Sequence, residues 1–336
     1  MSKFASTLIA WQQHHGRRDL PWQGTKDPYR IWLSEVMLQQ TQVSAVIPYY
    51  ERFLRRFPSV EALAAASEDE VLQLWSGLGY YARGRNLHAA AKNIAAGGFP
   101  NTARAIERLP GVGRSTAAAI AAFAFGERAA ILDGNVKRVL ARYYGIEGWP
   151  LEERLWPYAE RLLPKTGIET YTQALMDLGA TLCTRNLPRC DSCPVRNDCI
   201  AKKLGRTGEI PAPRPRKPLP QKSVTWLVLR RGGEILLEKR PAPGIWGGLW
   251  SFPEGPAKDV DGFCSRTFGC EVQAKRALET IEHGFTHFRL SIRPLLCEVV
   301  RTPRLETPGR LWTGLADAAQ AAVPTPVRTL VARLAA

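Results

Sequence analysis

The stretch Cys183-Thr-Arg-Asn-Leu-Pro-Arg-Cys190-Asp-Ser-Cys193-Pro-Val-Arg-Asn-Asp-Cys199 contains four of the chain's seven cysteines. Thiolates this close in sequence either bind a soft metal centre or form disulfides. Structural zinc sites usually combine two closely spaced Cys pairs, or a Cys pair and a His pair, whereas only Cys190 and Cys193 form such a pair here. The uneven spacing therefore favours a polar loop around a cubic [4Fe-4S] cluster, with zinc as the alternative.

Length and composition limit the class of protein. At 336 residues the chain is long for one domain, so we expect two. The longest apolar runs are far short of a membrane span, and the N-terminal residues lead us to expect no export signal. Seven cysteines without export are typical of the reducing cytoplasm and argue against disulfides. Cys264, Cys270 and Cys297 are scattered, and we expect them to be inert core residues.

The chain is strongly basic, with 46 Lys and Arg residues against 31 Asp and Glu residues and a net charge of +15. A balance of this sign favours a polyanionic partner, which is DNA, RNA or an acidic membrane surface. Charge alone does not choose among these partners, so the choice depends on an independent phosphate-binding motif.

Hydrophobic periodicity predicts helices from residue 1 to about residue 205. Apolar residues recur at three- and four-residue intervals in several segments, and short Gly- and Pro-rich stops separate these segments. The clearest of the predicted helices are Pro28–Gln42, Pro48–Phe57, Ser67–Leu74 and Ala82–Ala96. The first domain is therefore expected to be mostly α and to cover residues 1–208.

The pattern changes after residues 209–221, where prolines alternate with basic residues as in an extended linker. Val224–Arg230 and Glu234–Arg240 flank Gly232-Gly233, which is a β-hairpin pattern. Phe288–Val300 is predicted to be a further strand, and Thr325–Leu334 a closing helix. We therefore predict an α+β C-terminal domain at residues 222–336.

Leu109-Pro-Gly-Val-Gly-Arg-Ser115 lies between two predicted helices, Thr102–Arg108 and Thr116–Phe125. Its two glycines allow a sharp turn and a close approach of the backbone to a ligand. The amides at the start of the second helix then form an anion site. The order at 102–125 resembles the helix-hairpin-helix of DNA repair proteins, which contacts a phosphate without reading bases. A tight turn with no ligand is the alternative; the residues implied in DNA binding are Gly111, Val112, Gly113 and Ser115.

Asp133 stands directly before a predicted helix and by itself would be an ordinary N-cap. An L-P-G-V-G hairpin, an Asp about twenty residues later and a C-x6-C-x2-C-x5-C loop occur together in the endonuclease III superfamily of DNA glycosylases. All three appear here in that order. The first domain therefore resembles that superfamily over essentially its whole length. The resemblance implies a helix-hairpin-helix glycosylase domain in which Cys183, Cys190, Cys193 and Cys199 hold a [4Fe-4S] cluster.

Ser115 distinguishes between two kinds of enzyme within that superfamily. Bifunctional members place a lysine at this hairpin position, and its amine attacks the sugar C1′ and forms a Schiff base that leads to strand cleavage. Ser115 cannot form an imine. The resemblance therefore implies a monofunctional glycosylase.

Trp32-Leu-Ser-Glu35-Val-Met-Leu-Gln-Gln-Thr-Gln42 places a carboxyl group among apolar residues. Desolvation on a helix would raise the pKa of Glu35 and let it donate a proton near neutral pH; a solvated surface Glu is the alternative. The segment resembles the adenine DNA glycosylases of the MutY type, in which this Glu is catalytic. The resemblance implies that Glu35 protonates N7 of a flipped adenine and then activates water. It also implies that the Asp133 carboxylate stabilises the cationic sugar and that Asn135 helps hold the site.

Further site residues follow from motifs of the same family. Arg18-Asp-Leu20-Pro-Trp22 resembles the segment that lines the adenine pocket, and Gln173 is placed to contact the base. Gln40 and Tyr80 are implied to insert beside the base opposite the adenine, with plain helix packing as the alternative for Tyr80. Closing the cysteine loop would present three arginines to the DNA backbone, namely Arg185, Arg189 and Arg196.

Two motifs of the second domain, Trp246-Gly-Gly-Leu-Trp-Ser-Phe-Pro253 and His283-Gly-Phe-Thr-His-Phe288, resemble the C-terminal domain of the same family. That domain is Nudix-like and reads 8-oxoguanine, which implies a recognition loop of Phe285, Thr286 and His287. Many relatives have Ser at the position of Thr286, so the hydroxyl is kept and a methyl is added. A Nudix hydrolase needs an R-E-x-x-E-E helix to hold magnesium, and residues 255–268 lack such an acidic set. The domain is therefore expected to bind and not to hydrolyse.

The resemblance implies a monofunctional glycosylase of base excision repair that removes adenine opposite 8-oxoguanine or guanine. One alternative is an endonuclease III-like pyrimidine glycosylase-lyase, which Ser115 and the C-terminal domain disfavour. The other is a non-catalytic DNA-binding iron–sulfur protein, which Glu35 and Asp133 together disfavour. We expect a cytoplasmic, nucleoid-associated monomer whose partner is double-stranded DNA and which does not bind membranes.

Overall fold

The computed structural model of the protein describes residues 2–148, 151–213, 218–301 and 307–335. The helices in these ranges are α1 (Lys3–His15), α2 (Pro28–Leu38), α3 (Val43–Arg56), α4 (Val60–Ala65), α5 (Glu68–Trp75), α6 (Tyr81–Gly97), α7 (Ala103–Ile106), α8 (Arg114–Phe125), α9 (Gly134–Tyr144), α10 (Leu151–Arg161), α11 (Ile168–Asp177), α12 (Ile200–Lys203), α13 (Val260–Phe268), α14 (Leu315–Gln320) and α15 (Thr325–Ala335). The strands are β1 (Gln221–Arg231), β2 (Glu234–Lys239), β3 (Trp250–Ser251), β4 (Glu254–Gly255), β5 (Glu271–Ala277), β6 (Ile281–Gly284), β7 (Arg289–Arg301) and β8 (Arg310–Gly314). None of the described helices is long and apolar enough to cross a membrane.

The predicted fold class is confirmed, since helices precede residue 205 and a sheet with flanking helices follows residue 220. The chain forms two compact units, one of residues 1–65 with 86–215 and the other of residues 66–85 with 216–336. The predicted division at residue 208 places 66–85 in the first domain, whereas this segment packs within the second unit. Residues 214–217 of the predicted linker lie outside the described residues.

The segment 66–85 belongs to the second unit because its contacts are made there. Leu72 is fully buried in the same hydrophobic cluster as Trp226. Ser76 donates a hydrogen bond to the carbonyl of Val323 at 2.7 Å, and the Nζ of Lys239 lies 2.7 Å from a carboxylate oxygen of Asp69. These long-range contacts have no local sequence pattern, which is why periodicity did not reveal them.

Helix α2 positions the first candidate site residue. Asp27 caps it by accepting a hydrogen bond from the backbone N–H of Tyr29 at 2.9 Å, and Pro28 occupies its first turn, where no N–H is needed. The helix ends at Leu38, earlier than the predicted Gln42. The reason is visible in the backbone of Gln40, whose φ of 58° lies in the left-handed region and cannot continue a helix.

The helix-hairpin-helix is formed by α7, the turn and α8. Gly111 has a φ of 77°, and a Cβ added there would lie 2.7 Å from the Cβ of Asn86, so only glycine fits. Leu109 and Val112 are buried and hold the turn against the unit. Helix α8 starts at Arg114, two residues before the predicted start, with Gly113 as its N-cap and no side-chain cap.

The sheet of the second unit runs in the order β3-β2-β1-β7-β5, with β4 on β1, β6 on β7 and β8 on β2. The predicted hairpin is confirmed, because β1 and β2 pair antiparallel across Gly232-Gly233. β1 and β7 pair in parallel from Gln221↔Arg289 to Arg230↔Glu298. Residues of α15 pack on one face of the sheet with Trp226 and Ile292, and residues of α13 pack on the other with Leu227 and Cys297. Cys264, Cys270 and Cys297 are buried core residues, as predicted.

Candidate active site

A cavity of about 580 Å³ in the helical unit brings together several predicted residues. The residue Glu35 lines it, and so do four predicted substrate-binding residues, namely Arg18, Leu20, Trp22 and Gln173. Trp22 is buried and meets the ring of Tyr50 edge-on, with centroids 5.4 Å apart. The guanidinium of Arg18 donates to the carbonyl of Gln13. The cavity therefore has an aromatic wall, a cation and a carboxyl group.

Glu35 lies on α2, is half-buried and lines this cavity. Two of its cavity neighbours, Ile31 and Ser34, are buried. Desolvation by burial is the main reason that the pKa of Glu35 is raised to about 8, and the negative charge of Asp133 raises it further. A carboxyl group with this pKa carries its proton at neutral pH and can act as a general acid.

Asp133 caps α9, as the local sequence predicts. Its carboxylate accepts a hydrogen bond from the backbone N–H of Val136 at 2.7 Å. Burial raises the pKa of Asp133, but the backbone N–H groups of Val136 and Asn135 and the charges of Arg138 and Lys137 oppose this shift. These four groups favour the charged form of Asp133, whereas burial, the larger effect, favours its neutral form.

Asn135 is held against the end of α11. A Cβ added at Gly179 would lie 2.6 Å from the Cβ of Asn135, so the glycine is needed for this close approach. The amide oxygen of Asn135 accepts a hydrogen bond from Arg138 at 2.7 Å. Arg138 also donates to the carbonyls of Gly179 and Cys183, both at 2.7 Å. Arg138 was not anticipated, and it links α9 to the cysteine loop.

Gln173 does not project freely into the cavity. Its amide nitrogen donates to Asp177 at 2.9 Å. Asp177 is completely buried and is paired with Arg17, whose Nε and Nη2 atoms each lie 2.7 Å from one carboxylate oxygen. The backbone N–H of Arg17 donates to the other oxygen at 3.0 Å. This ion pair fixes the wall of the cavity, and no spacing in the sequence indicated it.

Asp177→Ala is expected to destabilise the helical unit by about 1–3 kcal/mol, because it removes a buried carboxylate that accepts hydrogen bonds from Gln173 and from the backbone and side chain of Arg17. Thermal unfolding followed by circular dichroism measures this as a clear fall in Tm. Asp198→Ala is the matched control, since its ion pair with Lys3 is exposed and should contribute less than about 1 kcal/mol. Equal shifts in the two variants would contradict a structural role for the buried pair.

Ser115 connects the hairpin to the segment that precedes α9. Its hydroxyl oxygen accepts a hydrogen bond from the backbone N–H of Leu132 at 2.8 Å. Leu132 directly precedes Asp133, so this hydrogen bond fixes the backbone next to the capping carboxylate relative to the hairpin. The next helical residue, Thr116, accepts a hydrogen bond from Gln39 at 3.3 Å. The first turn of α8 has no capping side chain and leaves its amides oriented for an anion.

Gln40 and Tyr80 do not line the cavity. Both have a positive φ, 58° for Gln40 and 48° for Tyr80, which places them at turns and away from helix faces. The ring of Tyr80 is 45% exposed, and the guanidinium of Arg83 lies 5.4 Å from its centroid. Tyr80 is therefore an exposed turn residue, and the alternative that it merely packs on a helix face is not supported.

The four cysteines of the loop line one small cavity. Arg142, which is buried, organises the loop by donating to the carbonyls of Thr184 and Arg185 and to the Sγ of Cys183. Among the described residues, no three His, Cys, Asp or Glu side chains are placed to hold a single metal ion.

The predicted arginines of the loop also make contacts within it. Arg189 donates to the carbonyl of Thr181 at 2.7 Å, and Arg196 to the carbonyl of Asp191 at 2.5 Å. Both side chains remain exposed, as does Arg185. These hydrogen bonds orient the two guanidinium groups and help to close the loop.

The predicted recognition loop of the second unit is a short turn between β6 and β7. The backbone N–H of Phe285 donates to the carbonyl of Phe288 at 2.9 Å, and the two rings stack with centroids 4.4 Å apart. Trp246 supports Phe285 from another side at 5.5 Å. Thr286 and His287 are exposed at the tip. The aromatic support therefore presents a hydroxyl and an imidazole outward.

Helix α13 lies within residues 255–268, the stretch that lacks the R-E-x-x-E-E carboxylates of a Nudix hydrolase. Its one carboxylate, Asp261, is paired with Lys275 at 2.5 Å. Asp259, directly before the helix, is paired with Arg266 at 2.9 Å. The carboxylates that this helix offers are therefore engaged with cations.

Comparison with known proteins agrees with this architecture. Residues 33–165 match the HhH-GPD superfamily of base excision DNA repair proteins, and residues 224–333 match the NUDIX domain. A solved thermostable thymine-DNA glycosylase is 31% identical with a TM-score of 0.54, over 60% of this chain and 95% of that one. An endonuclease III–DNA complex with a TM-score of 0.52 is 22% identical over 60% and 94% of the two chains and supports the fold alone.

Full-length relatives give the more specific result. The adenine DNA glycosylase of Buchnera aphidicola subsp. Baizongia pistaciae is 37% identical over 339 residues, which cover 98% of this chain and 96% of the relative. The human adenine DNA glycosylase is 33% identical and covers 98% of this chain and 73% of its own length. The chain therefore belongs to the adenine DNA glycosylase family of base excision repair enzymes.

Proposed function

We propose that this enzyme is a monofunctional glycosylase that removes adenine opposite 8-oxoguanine or guanine, with Glu35 and Asp133 as its reacting carboxyl groups. The observation that carries the proposal is a carboxyl group that keeps its proton at neutral pH in a cavity large enough for a base. Glu35 lines this cavity, and burial raises its pKa to about 8. The charge of Asp133 raises the pKa of Glu35 further, and backbone N–H groups and two cations oppose the rise in the pKa of Asp133 itself.

The two carboxyl groups suit the two charges that develop in the reaction. Adenine leaves a sugar poorly as an anion, so protonation at N7 by Glu35 makes it a neutral leaving group. The sugar then carries positive charge in an oxocarbenium-like transition state, which the fixed Asp133 carboxylate stabilises. Glu35, now ionised, accepts a proton from the attacking water. Glu35 thus carries its proton at neutral pH, which is the state that the first step requires.

The remaining predicted residues serve to hold the base and the strand. Leu20 and Trp22 provide an apolar wall for the flipped adenine, while Arg18 and Gln173 provide polar contacts at its edge. Asn135 orients the start of α9 through Arg138. The hairpin amides from Gly111 to Ser115, with Val112 as the apolar anchor, bind a phosphate of the strand.

Ser115 supports release of the base without strand cleavage. Its hydroxyl is engaged by the backbone of Leu132, and an oxygen cannot form the imine on which lyase chemistry depends. The abasic product therefore stays intact after adenine has left.

The base opposite the adenine is read by two sets of exposed residues. Phe285, Thr286 and His287 form a turn whose tip offers hydrogen-bonding groups to an 8-oxoguanine, and Gln40 and Tyr80 insert beside it. The engaged carboxylates of α13 support binding without hydrolysis. We also propose that the two domains cover residues 1–208 and 222–336. Residues 66–85 belong to the first domain in sequence but pack within the second unit.

Cys183, Cys190, Cys193 and Cys199 are proposed to hold a [4Fe-4S] cluster, whose part is to hold the loop closed and not to react with the base. Cys193→Ala is expected to abolish bound iron and acid-labile sulfide in the purified protein and to weaken DNA binding. Cys297→Ala, at a buried cysteine of the second unit, should keep both. Stoichiometric zinc in the wild-type protein, measured by metal analysis, would contradict the cluster.

A panel of duplexes tests the proposed function. Under single-turnover conditions, free adenine should appear from adenine opposite 8-oxoguanine and opposite guanine, and not from adenine opposite thymine. Thymine glycol duplexes should remain intact. Release of an oxidised pyrimidine with a strand nick would instead favour the glycosylase-lyase, and binding without any base release would favour a DNA-binding protein.

A further inference from the structure

The second unit contains a basic cleft of about 650 Å³ on its own sheet, which we call the β1–β7 cleft. Its polar lining comes from neighbouring strands that run in parallel, with β6 at the side. The side chains that matter are those of Ser223, Glu282, Arg289, Ser291 and Arg293.

The β1–β7 cleft lies on the part of one sheet face against which α13 does not pack. Side chains alternate along β7, so Arg289, Ser291 and Arg293 lie on the face opposite to buried Leu290 and Ile292. Farther along the same strands, the cleft-side positions become apolar where they pack with α13, as at Leu227, Leu229, Cys297 and Val299. The positions on this face of β7 are therefore apolar where α13 packs against them and polar or cationic beyond it.

The arginines of the β1–β7 cleft also differ in their pairing from others on the sheet. Arg230 is paired with Glu298, Arg310 with Glu238 and Arg301 with Glu271. In the described parts of the chain, neither Arg289 nor Arg293 is paired with a carboxylate, although Glu282 lines the same cleft. Lys222 lies over the ring of Phe288 with its ammonium 4.9 Å from the centroid. Lys222 is in register with Leu290 and so belongs to the opposite face, which leaves two arginines and one carboxylate on the open face.

We propose that the β1–β7 cleft binds the phosphodiester backbone of duplex DNA. The proposal rests on the proposed function, because it takes the DNA substrate as the source of the phosphates. Arg289 and Arg293 are four residues apart on one strand, about 13 Å at 3.3 Å per residue, which suits separate phosphates of a backbone. The hydroxyls of Ser223 and Ser291 lie between the cations and can donate to phosphate oxygens. The contact positions the second unit on DNA without reading bases.

Salt-dependent DNA binding tests this proposal. In the full-length holoenzyme, Arg289→Gln/Arg293→Gln should lower the slope of log Kd against log salt by about 1.8, since each lost phosphate contact contributes about 0.9. Single-turnover adenine release at saturating enzyme should stay within about twofold of wild type, because the reacting groups are untouched. The control, Arg276→Gln/Arg333→Gln, removes one guanidinium group from the other face of the sheet and one from α15, which packs on that face, and should keep the wild-type slope.

Two results would overturn the proposal. One is a wild-type slope in the cleft variant, or a loss no larger than that of the control. The other is binding of a deoxynucleoside triphosphate to the wild type and not to the cleft variant, with equal DNA slopes, which would make the cleft a nucleotide site. Failure of the proposed function is a separate outcome, since it appears as absent adenine release in the wild type whatever the slope. Equal thermal unfolding of all three proteins establishes that the variants are folded.

Discussion

Asp133→Asn is expected to lower the single-turnover rate of adenine release by about 10²–10³-fold, the scale seen when one fixed electrostatic group is removed from a transition state. DNA affinity should change little, because the carboxylate stabilises a charge that exists only after the bond to adenine begins to break. Asn is a good N-cap and can still accept a hydrogen bond from Val136, so α9 should remain capped.

The measurement for Asp133→Asn pairs a single-turnover assay with a DNA-binding titration on the same duplex. Asp317→Asn, an exposed acidic residue in the first turn of α14, is the matched control and should behave as wild type. An Asp133→Asn enzyme that keeps its rate, or that loses rate and affinity equally, would contradict the assignment of Asp133 as the group that stabilises the sugar cation.

Glu35→Gln is expected to lower the rate of adenine release by about 10²–10⁴-fold, because Gln cannot donate a proton to the leaving base. The wild-type rate should also fall as the pH rises past about 8, since deprotonation then removes the acid. The variant should show little of this pH dependence. The Glu35→Gln protein should be at least as stable as the wild type. Because the pKa of Glu35 is higher in the folded state than in the unfolded state, the wild type loses folding free energy as the pH rises from the unfolded-state pKa towards 8.

Rate–pH profiles between about pH 6 and 10, with DNA saturated by enzyme, measure this effect. Glu51→Gln, an exposed residue of α3, is the matched control and should keep the wild-type profile. A wild-type rate that rises steadily with pH would indicate a base-driven reaction and remove the role of Glu35 as a proton donor.

Features with local causes could be predicted from the sequence. Gly232-Gly233 between alternating strands indicates a hairpin, and Ser67 with Glu70 forms a capping box that starts α5 one residue after the predicted start. Asp133 was correctly predicted as an N-cap. The chemistry of that cap, in contrast, depended on a family resemblance, because Glu35 and Asp133 lie in separate helices and no spacing joins them.

Features that depend on long-range packing were not predictable. The buried Asp177 pairs with Arg17 only because α11 packs against α1. Arg142 resembles any helix-surface arginine in sequence, yet it is buried and holds the cysteine loop. Leu72 in the core of the second unit is a similar case, since its partners lie far away in the chain. In each case the interaction is specified by tertiary contacts and not by periodicity.

One measurement tests the central claim most directly, namely a single-turnover time course on a duplex with adenine opposite 8-oxoguanine, analysed with and without hot alkali. The account predicts free adenine in solution, an unbroken strand before alkali, a nick after it, and neither product with Asp133→Asn or Glu35→Gln. A nick that appears with the wild-type enzyme before alkali, or undiminished adenine release by either variant, would contradict it.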